Sequence, residues 1–135
     1  MQPELFAEVR EWLQRAAEDL REAEHDLAAT PPLVRGAVFH CQQAAEKAMK
    51  AFLSAHEEPF RKTHDLDELG RAVVAHDPSM TDLVGPAADL TPYAWRFRYP
   101  GMPAAPTLEE ACQALAIARR VCEAIFARLP EETGP

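Results

Sequence analysis

HCQQAAEKAMK, residues 40–50, is the stretch on which the fold turns. At about 100° per residue on a helical wheel, Cys41, Ala45, Ala48 and Phe52 point one way, into a core. Arg35, Gln42 and Glu46 lie along one flank. His40, Gln43, Lys47 and Lys50 lie on the far and opposite side. Glu46 and Lys50 form an i,i+4 pair in the favourable order, worth a few tenths of a kcal/mol on an exposed helix. Two readings of the polar residues stand side by side. They are a solvated face with local ion pairs, or Gln42, Gln43, Glu46, Lys47 and Lys50 contact a second subunit or a partner.

The flanking sequence repeats the helical period. Val9, Trp12, Leu13, Ala16, Leu20, Ala23 and Leu27 recur at three- and four-residue steps, which predicts a helix over 3–28. Thr30-Pro31-Pro32 ends it. The helix carrying the opening stretch runs over 33–55 and closes at Glu58-Pro59. Asp65, with Glu68 three residues on, predicts a capping box for a shorter helix ending near Ala75. Asp77-Pro78-Ser79 breaks the chain, and Ser79 is placed to cap a fourth helix. Gly85-Pro86 and Thr91-Pro92 leave that helix bent or in pieces through Arg98, because an internal proline removes a hydrogen bond and clashes with the preceding turn. Residues 99–106 read as a stiff loop. Thr107 and Glu110 predict a second capping box, opening a last helix to about Leu129. Its face of Ala111, Leu115, Ala118, Cys122, Ile125 and Leu129 is widened by Ile117, Val121 and Phe126, beyond what one core face needs. No strand pattern competes, so the expected fold is all-α: an antiparallel up-and-down bundle of about five helices. One domain is expected over 1–130, with a frayed tail over 131–135.

At 135 residues and 47% hydrophobic, the chain can build one real core. No 18-residue apolar run predicts a membrane span, and no secretory leader is evident, so a cytoplasmic protein is expected. Cys41, Cys112 and Cys122 lack CxxC spacing and sit among apolar neighbours, which predicts buried thiols. The net charge of −8 argues against broad nucleic-acid binding. It is unevenly spread. Residues 1–30 carry three basic against eight acidic side chains, and residues 65–90 one against six. Residues 31–64 carry five against three, and residues 91–106 carry Arg96 and Arg98 with no acid. The absence of Asn, 11 Arg against 3 Lys, and 12 Pro hint at a thermophile, although GC-rich codon usage gives much of the same.

The run FHCQQAAEKAMKAFLSAHEEPFRKTHDLDELGRAV resembles the HEPN domain family, in which a QQAAEKxxKA helix and a loop lead to THDL at the next helix. Tyr93-Ala94-Trp95-Arg96-Phe97-Arg98-Tyr99-Pro100-Gly101 is similar to that family's segment ending in RYP. The resemblance spans roughly residues 5–128. It implies a dimerising helical bundle, a homodimer or higher homo-oligomer, and one of two roles. Many members are metal-independent ribonucleases with an R-x(4–6)-H motif near the start of the last long helix. Many others stand beside a minimal nucleotidyltransferase in toxin–antitoxin-like or nucleotide-handling pairs.

Arg96 and Arg98 occupy the place of the ribonuclease arginine, yet positions 101–105 read Gly-Met-Pro-Ala-Ala. The histidine that RNA transesterification needs as general acid and base is missing there. Arg35 and His40 also satisfy the pattern, but five residues on a helix set their side chains about 140° apart. The expectation is therefore a non-catalytic homodimeric module with a nucleotidyltransferase partner and with no metal or cofactor. The alternative is a divergent ribonuclease or nucleotide-processing enzyme with a site around Arg96 and Arg98. Tyr93, Arg96, Arg98 and Tyr99 are the candidate nucleotide- or RNA-binding residues, since arginines alternating with aromatics hold phosphate and stack on bases. Arg61 and Lys62 join them if the fold brings them near. Against that, Trp95, Phe97 and Tyr99 are also suited to a core or dimer contact. His40, His64-Asp65 and Asp89 follow the order of an HD-type metal phosphohydrolase, but Asp65 has a sufficient role as a helix cap.

Overall fold

The computed structural model describes residues 1–101 and 104–135. Met102 and Pro103, within the loop expected over 99–106, lie outside the described residues. Five α-helices follow one another: α1 Pro3–Ala28, α2 Val34–Ala55, α3 Leu66–His76, α4 Thr81–Ala88 and α5 Leu108–Arg128. Single 3-10 turns occupy Pro78–Met80, Thr91–Ala94 and Glu131–Thr133. No strand occurs among the described residues.

The helix ends follow from local chemistry. Pro3 opens α1, where its missing N–H costs nothing. The Asp65 carboxylate caps α3 by accepting from the backbone N–H of Asp67 and Glu68. The reverse half of the expected capping box is absent, because Glu68 turns outward to Arg61. Thr107 and Glu110 complete both halves of theirs, at 3.0 and 2.9 Å. Ser79 does not cap α4 as its position predicts; its N–H and hydroxyl both donate to Asp77, which caps the 3-10 turn instead. The pieces expected between Gly85 and Arg98 are α4, with Pro86 inside it, and the turn at Thr91–Ala94. α2 ends in a Schellman motif: Glu58 N–H reaches Leu53 O and Glu57 N–H reaches Ser54 O. Glu57 sits in the left-handed region at φ 54° to do so.

α1 and α2 form an antiparallel hairpin, since residue numbers rise along one as they fall along the other. Ser54 meets Glu8, Lys50 lies over the Trp12 ring, Lys47 meets Asp19, and His40 meets Asp26. α2 also packs against α3, α5 and the turn at Thr91–Ala94, so it is the central helix. Fourteen of its 22 residues are buried, which no single amphipathic stripe supplies. Its alanines, Ala44, Ala45, Ala48 and Ala51, are all buried and share one arc of about 120°, where neighbours approach closely. Its own Met49, Phe52 and Leu53, and Leu13, Leu69, Met80 and Ile125 from the elements around it, are all essentially without exposure. α3 and α4 approach closely at Gly70, where a Cβ would sit 3.0 Å from the Val84 Cβ.

Three expectations change. Cys41 and Cys122 are buried, but Cys112 is exposed on α5. On α5, Val121 is fully buried while Ile117 and Phe126 are half-buried against the core, so most of the widened apolar surface is used within the chain. The 131–135 segment read as frayed makes a 3-10 turn against α1, with Thr133 completely buried.

Candidate functional site

Three residues of the polar row of the opening stretch turn inward and are covered within the chain. Gln42, Glu46 and Lys50 are buried, with Glu46 and Lys50 side chains only 5% and 9% exposed. Glu46 Oε2 accepts from Lys50 Nζ at 3.0 Å, and Glu46 Oε1 from Gln42 Nε2 at 3.2 Å. His64 Nδ1 lies 2.7 Å from the same Oε1, and Gln42 Nε2 also donates to the His64 carbonyl at 3.0 Å. Gln43 donates back to Gln42 Oε1 at 2.8 Å. QQAAEK and THDL are therefore two halves of one hydrogen-bonded joint between α2 and the start of α3. The Lys50 ammonium lies 5.6 and 5.8 Å from the Trp12 and Phe60 ring centroids, which closes the joint on the α1 side.

The other polar edge of α2 faces α1. Lys47 Nζ reaches Asp19 Oδ2 at 2.5 Å. His40 places Nε2 2.6 Å from Glu22 Oε2 and Nδ1 3.1 Å from Asp26 Oδ2. Burial pushes the Asp19 carboxyl above its ordinary range, although Lys47 pulls it down. Gly36 leaves room for Asp26, whose Oδ2 would be 2.7 Å from a Cβ there. Arg35 is exposed and shares no partner with His40, so the Arg35–His40 match builds no site.

The segment after the Thr91–Ala94 turn forms an exposed ridge. Trp95 is 49% and Tyr99 60% exposed, with Arg96 and Arg98 exposed between them. Phe97 is half-buried and holds a left-handed φ of 69°, a strained conformation for an aromatic residue. That strain tucks Phe97 inward against Tyr93, with ring centroids 6.1 Å apart, while both flanking arginines face out. Arg98 is pre-set: its guanidinium lies 4.2 Å from the Phe39 ring centroid and donates to the Ala94 carbonyl at 3.3 Å. Arg96 lies over the Phe97 ring at 5.3 Å. Neither arginine forms an ion pair among the described residues. Tyr93 is half-buried, and burial, followed by the Glu110 charge, pushes its phenol up.

Arg61 and Lys62 have neighbours of their own. Arg61 is paired with Glu68 at 2.8 Å, and Lys62 lines a groove with Leu5, Trp12 and Phe60.

The comparisons fit this arrangement. The HEPN domain family model matches residues 9–129. The chain belongs to the HEPN domain family. Its fold is shared with TT1696 from Thermus thermophilus, at 32% identity and a TM-score of 0.71, covering 90% of this chain and 98% of that one. ST0689, an archaeal HEPN homologue, has 25% identity and a TM-score of 0.70, covering 89% and 96%. Nothing matches among curated proteins.

In this HEPN chain the residues ordered like an HD-type site have other partners. His40 faces α1, His64 binds Glu46, and Asp65 caps α3. The one group of three or more ligand-type side chains among the described residues is Asp19, Glu22 and His40. Cys41 and Cys122 are no nucleophiles, since burial raises both thiols to about 12. Sequence reasoning missed Phe39, the platform for Arg98. It lies 59 positions from Arg98, and no local pattern connects the two. No described helix is long and apolar enough to cross a membrane.

Proposed function

We propose that this HEPN chain is a non-catalytic, homodimeric binding module that works beside a minimal nucleotidyltransferase. It presents Arg96 and Arg98, with Trp95 and Tyr99, to a nucleotide or an RNA backbone. The observation that carries this reading is the ridge. Two unpaired guanidiniums stand between two exposed aromatic rings, and one of them is held in place by Phe39 and the Ala94 carbonyl. Guanidinium forks match phosphate oxygens, and exposed rings stack on bases. The ridge carries no histidine, and His40, His64 and His76 each face a carboxylate elsewhere. Without a group to take the 2′-OH proton, binding is the chemistry left to the segment. Exposed Trp95, Tyr99 and Leu108 supply apolar surface for a second copy.

Fluorescence anisotropy with labelled oligouridylate or a labelled nucleotide tests the reading. Binding is expected to weaken as salt rises and to fall at least tenfold in Arg96→Ala/Arg98→Ala. Light scattering is expected to give twice the 15.0 kDa chain mass. A monomer at micromolar concentration, or binding indifferent to both arginines, refutes the proposal. Co-purification from the native host tests the nucleotidyltransferase partner.

A further inference from the structure

We propose that Asp19, Glu22 and His40 form a binding site for one first-row divalent cation of the zinc class, built across the α1–α2 hairpin. Donor atoms of the three side chains lie within 4.8 Å of one another. Donors around a tetrahedral zinc are about 3.3 Å apart, given bonds of about 2.0–2.1 Å, so the cluster needs to contract by about 1.5 Å at most to close on an ion. The mixed donor set suits such an ion, because one imidazole with carboxylates favours zinc, cobalt or nickel over calcium or magnesium.

Three further features point to a ligand. His40 is oriented as metal-bound histidines are: Nδ1 faces a second carboxylate, Asp26, at 3.1 Å, which leaves Nε2 toward Glu22 and Asp19. Asp26 is itself fixed, lodged where Gly36 has no side chain. Asp19 is only 8% exposed; Oδ2 takes Lys47, while Oδ1 makes no hydrogen bond among the described residues, keeps contact with solvent and is free to ligate. Both ring nitrogens of His40 lie against carboxylates, so a cation binds by displacing the Nε2 proton to solvent; with the imidazole then neutral, three carboxylates face the single Lys47 ammonium. The two uncompensated negative charges match a dication. Three protein ligands leave a position open to water or to a phosphate oxygen. The site adjoins the ridge, for the Phe39 ring under Arg98 also packs edge-on against His40, with centroids 5.4 Å apart.

The test is titration of the full-length protein with Zn²⁺ by calorimetry and with Co²⁺ by visible absorption. One equivalent per chain is expected, with cobalt d–d bands. His40→Gln and Glu22→Gln are each expected to weaken binding at least tenfold, with circular dichroism and melting confirming that the variants fold. Asp26→Asn is expected to weaken it by tenfold or more through the orientation of His40. Cys112→Ser and His64→Gln remove the exposed thiol and an unrelated imidazole and are expected to change nothing. No binding at millimolar metal, binding unaltered in both His40→Gln and Glu22→Gln, or binding lost in Cys112→Ser overturns the proposal.

Discussion

Lys50→Met tests the joint between QQAAEK and THDL. Methionine keeps the unbranched stem against Trp12 and Phe60 but removes the ammonium. Glu46, 5% exposed on its side chain, then loses its one permanently cationic partner. Removing one member of a buried pair costs about 3–5 kcal/mol, because the remaining charge stays desolvated. Gln42 and His64 still donate to Glu46 Oε1, which places the expected loss at the lower end, about 3 kcal/mol. For a domain of this size that lowers the melting temperature by roughly 10 °C. Glu46→Gln in the same background removes the stranded charge and is expected to recover about half the loss. The assay is urea unfolding of the four proteins of the double-mutant cycle at one fixed protein concentration, which holds any self-association constant across the four. A loss below about 1 kcal/mol, or a coupling near zero, refutes the reasoning, because those are the values of an exposed pair.

Other expectations follow from single features. Glu57→Gly relieves a left-handed backbone at a helix end and is expected to stabilise by about 0.5–1 kcal/mol, after the extra chain entropy of glycine, as read by urea unfolding. Thr107→Ala breaks the complete capping box of α5 and is expected to cost about 1 kcal/mol in the same assay. Partial desolvation of His56 where its ring packs on Phe52, and then the neighbouring His76, depress its pKa, so the folded state takes up its proton later than the unfolded chain. That contribution to stability is present above the unfolded value of about 6.5 and is lost as pH falls through the lower folded value. Melting temperatures at pH 7 and pH 5 are expected to differ less in His56→Gln than in the parent, and an equal or larger difference refutes the assignment.

The helices were legible because their signals are local. The predicted span 3–28 coincides with α1, and the Thr107–Glu110 box stands where its spacing places it. The role of α2's polar residues was not legible from a wheel that assumes one buried side. Gln42, Glu46 and Lys50 are covered because α1, α3 and the loop before α3 all close over α2. Alanine at 44, 45, 48 and 51, on one arc of about 120°, signalled close packing on that side but not the cover over the polar side. Arg96 and Arg98 were found from their alternation with aromatics, but Phe97's left-handed turn and the Phe39 platform are tertiary. Arg61 and Lys62 were grouped with them on charge alone, and the fold gives each a different neighbourhood. Asp19, Glu22 and His40 escaped notice because they meet only when the hairpin closes.

The central claim is that the Trp95–Tyr99 ridge binds RNA or a nucleotide without chemistry of its own. The direct measurement is incubation of purified protein with end-labelled structured and unstructured RNA, followed on the same samples by gel shift and by denaturing gel. The account predicts a salt-sensitive shift that Arg96→Ala/Arg98→Ala abolishes, with the RNA recovered at full length. Cleavage products that disappear in Arg98→Ala would contradict it.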